Sequence, residues 1–409
     1  DYNQALVFLQ KGIAKSSKAE GDYLFWQADA FHALALAYEG KKKINKAEVA
    51  YLKAKELYET AYGSDFDNLY LEFLQHLSNF YASNGNYQQG ILLANKAFRY
   101  ISKTQSADAF ATISHYCNLA SLYLQANKYL SVLKNAQSAL QVLENNLKRA
   151  TTIKDSVRIE MNKPLAIYYY ERARYELSDK KDTALLQSIY NNLLQAIQVL
   201  DQRNDLFYDT DNLKVILANN KMIFDFAQMV TINLFELTGD SKYLDQLNNI
   251  QESSTYYKLH NRFAGRYLFV EGVPQAIVEK EKQIKNKFAE VIDNPDNKYK
   301  ISNYLKIDEE LAQFKNELKQ KYPKYYNLRY GSVLQPLLNY QSLIPKGSSL
   351  VRYYFVAEQL YAMVLTNTEK HLFKLDTTNL YENIESVYNP KSKELPMEVS
   401  LYELYNQLW

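Results

Sequence analysis

A helix-turn-helix pattern recurs about every forty-two residues through the first third of this chain. Four stretches carry a small or compact residue at Ala5, Ala47, Gly90 and Val132, spaced 42, 43 and 42 residues apart. Four positions on stand Leu9, Tyr51, Ala94 and Ala136, and three further Gly12, Ala54, Ala97 and Ala139. Offsets of four and seven put each set on one face of a helix. The stretches before them repeat as well: Phe31-Leu34-Ala35-Tyr38, Leu74-Leu77-Ser78-Tyr81 and Tyr116-Leu119-Ala120-Tyr123. The small residue lets two helices approach and the bulky ones fill the gap to the next pair. Between them, Ser83-Asn84-Gly85-Asn86 offers a glycine for a left-handed helix end. A helical pair of this kind cannot bury its own apolar face, so a fixed period predicts stacked neighbours and an interaction scaffold.

Composition narrows the alternatives. With 11 Gly and 8 Pro in 409 residues, few turns are available, which favours helices. The 37 Tyr suit helix interfaces, where a ring packs inside and its hydroxyl is expected to reach water. A net charge of +2 with interspersed signs offers no footprint for nucleic acid. No apolar run approaches the ~20 residues of a membrane helix. One Cys excludes an internal disulfide framework and points to a reducing, cytoplasmic location. Abundant Lys, Asn and Tyr point to an AT-rich bacterial genome. No cofactor is expected.

The repeat resembles the tetratricopeptide repeat, in a long-helix variety whose period exceeds the usual ~34 residues. The resemblance implies an α-solenoid of antiparallel helix pairs, whose first helices line a concave face that takes extended peptides. Repeat register then places Asp29, His32 and Leu36 on that face in the first full unit, Glu72, Gln75, His76 and Asn79 in the second, and Ser114, Cys117, Ser121 and Gln125 in the third. His32, Gln75 and Cys117 are expected to stack as one row, and Leu36, Asn79 and Ser121 as the next. Gln75 and Asn79 would hydrogen-bond a peptide backbone. The basic set by which some family members clamp a terminal carboxylate is absent at these positions. The competing expectation is an ordinary solvated surface.

Four regions follow. Residues 1–147 hold the regular repeats, the first entered at its second helix, so that a further helix is expected upstream. Residues 148–265 hold degenerate helical pairs: Val157–Leu177 with Thr183–Leu200, whose apolar face is Leu186, Ile189, Tyr190, Leu193, Ala196, Ile197 and Leu200, then Lys221–Leu237 with Tyr243–Tyr257. Residues 266–322 read as a hairpin linker. Its helices, from Gln275 to Ile292 and Tyr299 to Lys321, share an apolar seam of Ile277, Ile284, Phe288, Val291, Tyr304, Leu311, Phe314 and Leu318 under a charged exterior. Asp293 to Asp296 breaks the first of them. Residues 323–409 begin an α/β domain. Three short runs, Leu350–Val356, Leu360–Thr366 and His371–Leu375, predict a β-meander, and Leu401–Trp409 opens a helix. Lys346-Gly347-Ser348-Ser349 lacks a phosphate-loop frame and reads as a turn.

From about Arg262 to Leu375, continuing to Leu401-Tyr402-Glu403-Leu404-Tyr405, the chain resembles the approach to a CHAT domain, a caspase-like peptidase domain fused to tetratricopeptide arrays. The matching stretches are Gly272-Val273-Pro274 with Glu279-Lys280-Glu281, Tyr322 to Leu328, Leu334 to Leu338 and the first two strand runs. The resemblance implies a His–Cys dyad beyond Trp409, and hence a fragment that is itself non-catalytic. By that resemblance it is expected to form the recognition and regulatory part of a cysteine peptidase. Its partners would be a protein or peptide on the concave face and its own downstream CHAT domain. The alternative is a stand-alone adaptor whose CHAT-like domain is non-catalytic; a nucleic-acid scaffold is disfavoured by charge. Cys117 and His115 lie two apart on one helix, facing different ways, and His32, His76, His260 and His371 show no metal-ligand spacing.

Overall fold

The computed structural model describes residues 2–16, 23–63, 65, 67–104, 110–149, 160, 162–203, 210–264, 273–293, 300–330, 340–388 and 397–408. They fall into two compact units, Asp1–Val142 and Leu143–Trp409. The chain is mainly α, with one small three-stranded antiparallel sheet near its C-terminal end.

The first unit is built from helices α1 (Tyr2–Ser16), α2 (Leu24–Gly40), α3 (Ile44–Tyr62), α4 (Asn68–Ser83), α5 (Tyr87–Thr104), α6 (Phe110–Gln125) and the larger part of α7 (Tyr129–Arg149). Sequential helices pack in pairs, α1 on α2, α2 on α3, α4 on α5 and α5 on α6, compatible with a helical repeat array. The repeated small positions explain how. Ala35, Ala47, Ser78 and Ala120 are all buried to 0 % exposure, with Val132 at the same level. Between α4 and α5 the contact is backbone-close. A Cβ on Gly90 would lie 2.8 Å from the Ser78 carbonyl oxygen, and the Ser78 hydroxyl donates to the Gly90 carbonyl at 2.7 Å.

Three first helices end the same way. The N–H groups of Lys43, Asn86 and Lys128 donate to the carbonyls of Tyr38, Tyr81 and Tyr123 at 2.9, 2.8 and 2.9 Å. This is the six-to-one bond of a Schellman ending, which needs a left-handed residue just before the donor. Lys42, Gly85 and Asn127 supply it, with φ of 56°, 83° and 54°. Only one of the three is the expected glycine.

Aromatic side chains fill the space between pairs. Tyr58 and Phe73 lie 4.9 Å apart by ring centroid, Tyr51 and Phe80 5.0 Å. Three buried tyrosines among them turn their hydroxyls to internal partners rather than out to water. Tyr51 donates to Glu39 at 2.9 Å, Tyr58 donates to Asp29, and Tyr70 lies 2.9 Å from the Lys96 ammonium, which donates to it. Burial raises the pKa of both Tyr51 and Tyr58, and the neighbouring carboxylates add to the effect.

In the second unit α8 (Lys163–Leu177) packs on α9 (Thr183–Arg203), and α10 (Thr210–Thr238) on α11 (Lys242–Ala264). All seven residues expected on the α9 apolar face are buried. Gly239, at φ 67°, turns the chain between α10 and α11. The long hairpin is α12 (Gln275–Asp293) and α13 (Lys300–Lys321), followed by α14 (Pro323–Tyr330). Ile284, Ile307, Leu311, Phe314 and Leu318 form its seam, with Ile277 packed against them. The side chains of Phe288, Val291 and Tyr304 lie outside the described residues, as do Asn294–Asp296, Gly272 and Leu334–Leu338. The charged exterior has one exception: Glu281 is buried, where it accepts the Tyr325 hydroxyl at 2.6 Å and pairs with Lys285 at 2.6 Å.

The sheet is a meander, β1 (Leu350–Val356), β2 (Gln359–Leu365) and β3 (Lys370–Lys374), in that order. Gly347, at φ 78°, makes the turn before it. Tyr354, Val356, Met363 and Leu365 face Ile232 of α10 and Leu244 and Leu247 of α11. Asn248 of α11 fastens the sheet down: it accepts from the Tyr354 hydroxyl at 2.7 Å and from Arg352 at 2.5 Å. Helices α15 (Leu380–Tyr388) and α16 (Met397–Leu408) pack together after the sheet.

Candidate binding cavity in the first unit

The residues expected on the concave face have different fates. Glu72 and Gln125 are exposed, and Asp29, His32, Gln75, His76, Asn79, Ser114 and Ser121 are half-buried. Asp29 is occupied inside the array as the acceptor of Tyr58. Cys117 is buried, and burial pushes its thiol up to about 12, so it is protonated and unreactive at neutral pH. His115 is buried too, with its pKa lowered to about 4 by burial alone. Among the described residues its Nδ1 has no hydrogen-bond partner, and neither do Thr112 Oγ1 and Asn118 Nδ2 on the same helix.

His32 meets His76, and the two rings share an N–H···N hydrogen bond of 2.8 Å between His32 Nε2 and His76 Nδ1. The His32 ring also stands edge-on to Phe73 at 5.3 Å. Burial, and secondarily the charge of His76, lowers the His32 pKa to about 4. At neutral pH the His32 ring is therefore neutral.

Beside this pair lies a cavity of about 580 Å³. Helix α1 lines it with Tyr2, Ala5 and Leu9, and α2 with Ala33, Leu36, Ala37, Glu39 and Gly40. Tyr51 closes it from α3, and His76 and Asn79 from α4. Small residues at Ala5, Ala33 and Ala37 leave room along its walls, whereas the space beside Gly40 is taken by the Tyr2 ring, into which a Cβ there would run. Its chemistry is mixed, with apolar walls and a few convergent polar groups, as is usual for ligand sites. Glu39 supplies a carboxylate. Asn79 supplies an amide. His76, with Nδ1 engaged by His32, has Nε2 remaining.

Register reasoning found Leu36, His76 and Asn79. It missed Glu39, Tyr51 and the α1 residues. Glu39, three residues after Leu36, continues that face past the last position counted, and no periodicity could show that α1 contributes a wall. Among the described residues no group of His, Cys, Asp and Glu is placed to hold a metal ion, and no helix is long and apolar enough to cross a membrane. No known family model and no curated protein matches this chain.

Proposed function

We propose that this chain is a protein-interaction scaffold of the tetratricopeptide type, and that its first unit seats an extended peptide with one side chain in the cavity between α1, α2 and α4. The observation that carries this is the cavity itself. It opens among the repeated helices, is lined by His76 and Asn79 from the face expected to receive peptides, and has a mixed lining with room to spare for a side chain. The Schellman endings repeated at Lys42, Gly85 and Asn127 support a true repeat unit. Leu36→Trp tests it. Leu36 is exposed and lines the cavity, so the indole fills the void without disturbing the core. Peptides selected on the wild-type chain should lose binding to this variant by isothermal calorimetry; unchanged binding would remove the cavity from the reading.

The second half of the proposal is that residues 323–409 open a CHAT-like domain, with the array as the recognition and regulatory arm of a cysteine peptidase. Its support is the order of motifs along the sequence, ending in a meander. The alternative is an adaptor whose CHAT-like part is non-catalytic. A thiol-directed activity probe on a chain extended past Trp409 separates the two. Labelling of a Cys beyond Trp409, lost on its change to Ala, supports the peptidase; no labelling leaves the adaptor.

A further inference from the structure

The cavity contains an unbalanced charge. Glu39 accepts the Tyr51 hydroxyl at 2.9 Å, and among the described residues no Lys, Arg or His lies within ion-pair distance of it. Two nearby cations point elsewhere: Lys41 donates to the Asn3 side chain, and the Lys46 ammonium lies 5.9 Å over the Tyr38 ring. A carboxylate has room for several donors, and one hydroxyl does not saturate it. Around it are the aliphatic walls of Leu9, Ala33, Leu36 and Ala37 and the rings of Tyr2 and Tyr51. An open apolar wall beside a carboxylate matches one kind of side chain: a methylene stem carrying a cation, which lays its stem on the wall and offers its head to the charge.

We propose that this cavity is a recognition pocket for a single lysine or arginine side chain of a peptide partner, with Glu39 as its counter-charge. This rests on the peptide-binding reading above. His76 Nε2 and the Asn79 amide are left to hydrogen-bond the peptide backbone at the rim. The partner is not a basic tract. Lys41, Lys42 and Lys43 follow directly at the end of α2, so further positive charges beside the pocket would be repelled. Acidic side chains are excluded from the pocket by Glu39.

The test is a selection of random linear peptides on the full chain, followed by fluorescence anisotropy of the fluorescein-labelled winner. Three copies of that peptide are compared: as selected, with its basic residue replaced by norleucine, and with it replaced by glutamate. On the protein side Glu39→Gln removes the charge but keeps an acceptor for Tyr51. The expected winners carry one Lys or Arg flanked by uncharged residues. Glu39→Gln and the norleucine copy should each weaken binding about tenfold or more, and the two losses should not add, because they remove the same contact. The glutamate copy should not bind. Winners without a basic residue, or winners indifferent to Glu39→Gln, overturn the inference while leaving a peptide-binding array, provided Leu36→Trp still blocks them. Failure to select any peptide, or indifference to Leu36→Trp, overturns the array reading and the inference with it. Should Glu39→Gln not fold, the peptide copies on the wild-type protein decide alone.

Discussion

Two histidines, His115 buried and His32 half-buried, make the first unit sensitive to acid. His32 and His115 each have a pKa lowered from 6.5 to about 4, mainly by burial. Between those values the unfolded chain binds protons that the folded chain does not. Stability is therefore full above about pH 6.5, falls as pH drops through the window, and loses no more from these groups below about pH 4. The loss is on the order of 3 kcal/mol from each histidine as an upper bound. Urea unfolding at about pH 7 and about pH 5 should show it, and His115→Leu should flatten the difference by removing a buried imidazole with an unpartnered Nδ1. Cys117 offers a second measurement at this scale. Its thiol is pushed up to about 12 by burial, so thiol reagents should label it only at the rate of unfolding. The residue types were legible in the sequence but their partners were not. Asp29 and His32 read as groove residues because register alone counts faces. In the fold a tyrosine hydroxyl claims one and a second imidazole the other, 29 and 44 residues away along the chain.

Turn chemistry decides how each helical pair closes. Lys42 and Asn127 occupy the same left-handed position as Gly85 and lack its freedom. A side chain there costs about 1 kcal/mol or more, less for Asn, which tolerates this conformation. Lys42→Gly should therefore raise stability by about 0.5–1 kcal/mol, Asn127→Gly by less, and Gly85→Ala should lower it by about 1 kcal/mol. Chemical denaturation midpoints would rank the three. Helix and strand boundaries were mostly legible, because periods of about four and of two residues are local properties. The β-meander fell within a residue or two of its expected strands. Several elements differed, among them α14 (Pro323–Tyr330), a helix with no marked apolar face, and α16, which begins at Met397 rather than Leu401. Helix α10 begins at Thr210, eleven residues before the apolar face that announced it, since its first turns alternate polar and apolar residues without a clear stripe. Helix α15 was not anticipated: its Leu380, Asn383 and Ser386 are buried, and a face carrying Asn and Ser carries no hydrophobic signal. Glu281 went unseen for the same reason, a charge read as surface until Tyr325 and Lys285 are brought to it.

Each unit has its own core, and the two should open separately. The cluster from Leu6 to Ile101 holds the first, and the contact of Tyr354, Val356, Met363 and Leu365 with α10 and α11 helps hold the second. Gly90→Leu drives a side chain into the Ser78 carbonyl and should cost about 2–3 kcal/mol. Asn248→Ala leaves the buried Tyr354 hydroxyl without its acceptor and should cost about 2 kcal/mol. Hydrogen exchange should show Gly90→Leu deprotecting α4 and α5 while β1 and β2 keep wild-type rates, and Asn248→Ala doing the reverse. Loss of protection across both regions from either change would mean the two cores unfold as one.

From the sequence alone came the helical repeat, its close-packed small residues, the α9 face, the long hairpin and the meander. Each depends on which residues recur at short, regular spacing, and that is a one-dimensional property. The tertiary structure alone decided where buried polar groups find partners. It placed Tyr51 on Glu39, His32 on His76 and Tyr354 on Asn248, and it left a cavity lined by Ala5, Ala33 and Ala37. A void and an unneutralised carboxylate are properties of several helices at once. Desolvation makes each buried donor or acceptor costly unless it is met, and which groups meet is set only when the helices are in place.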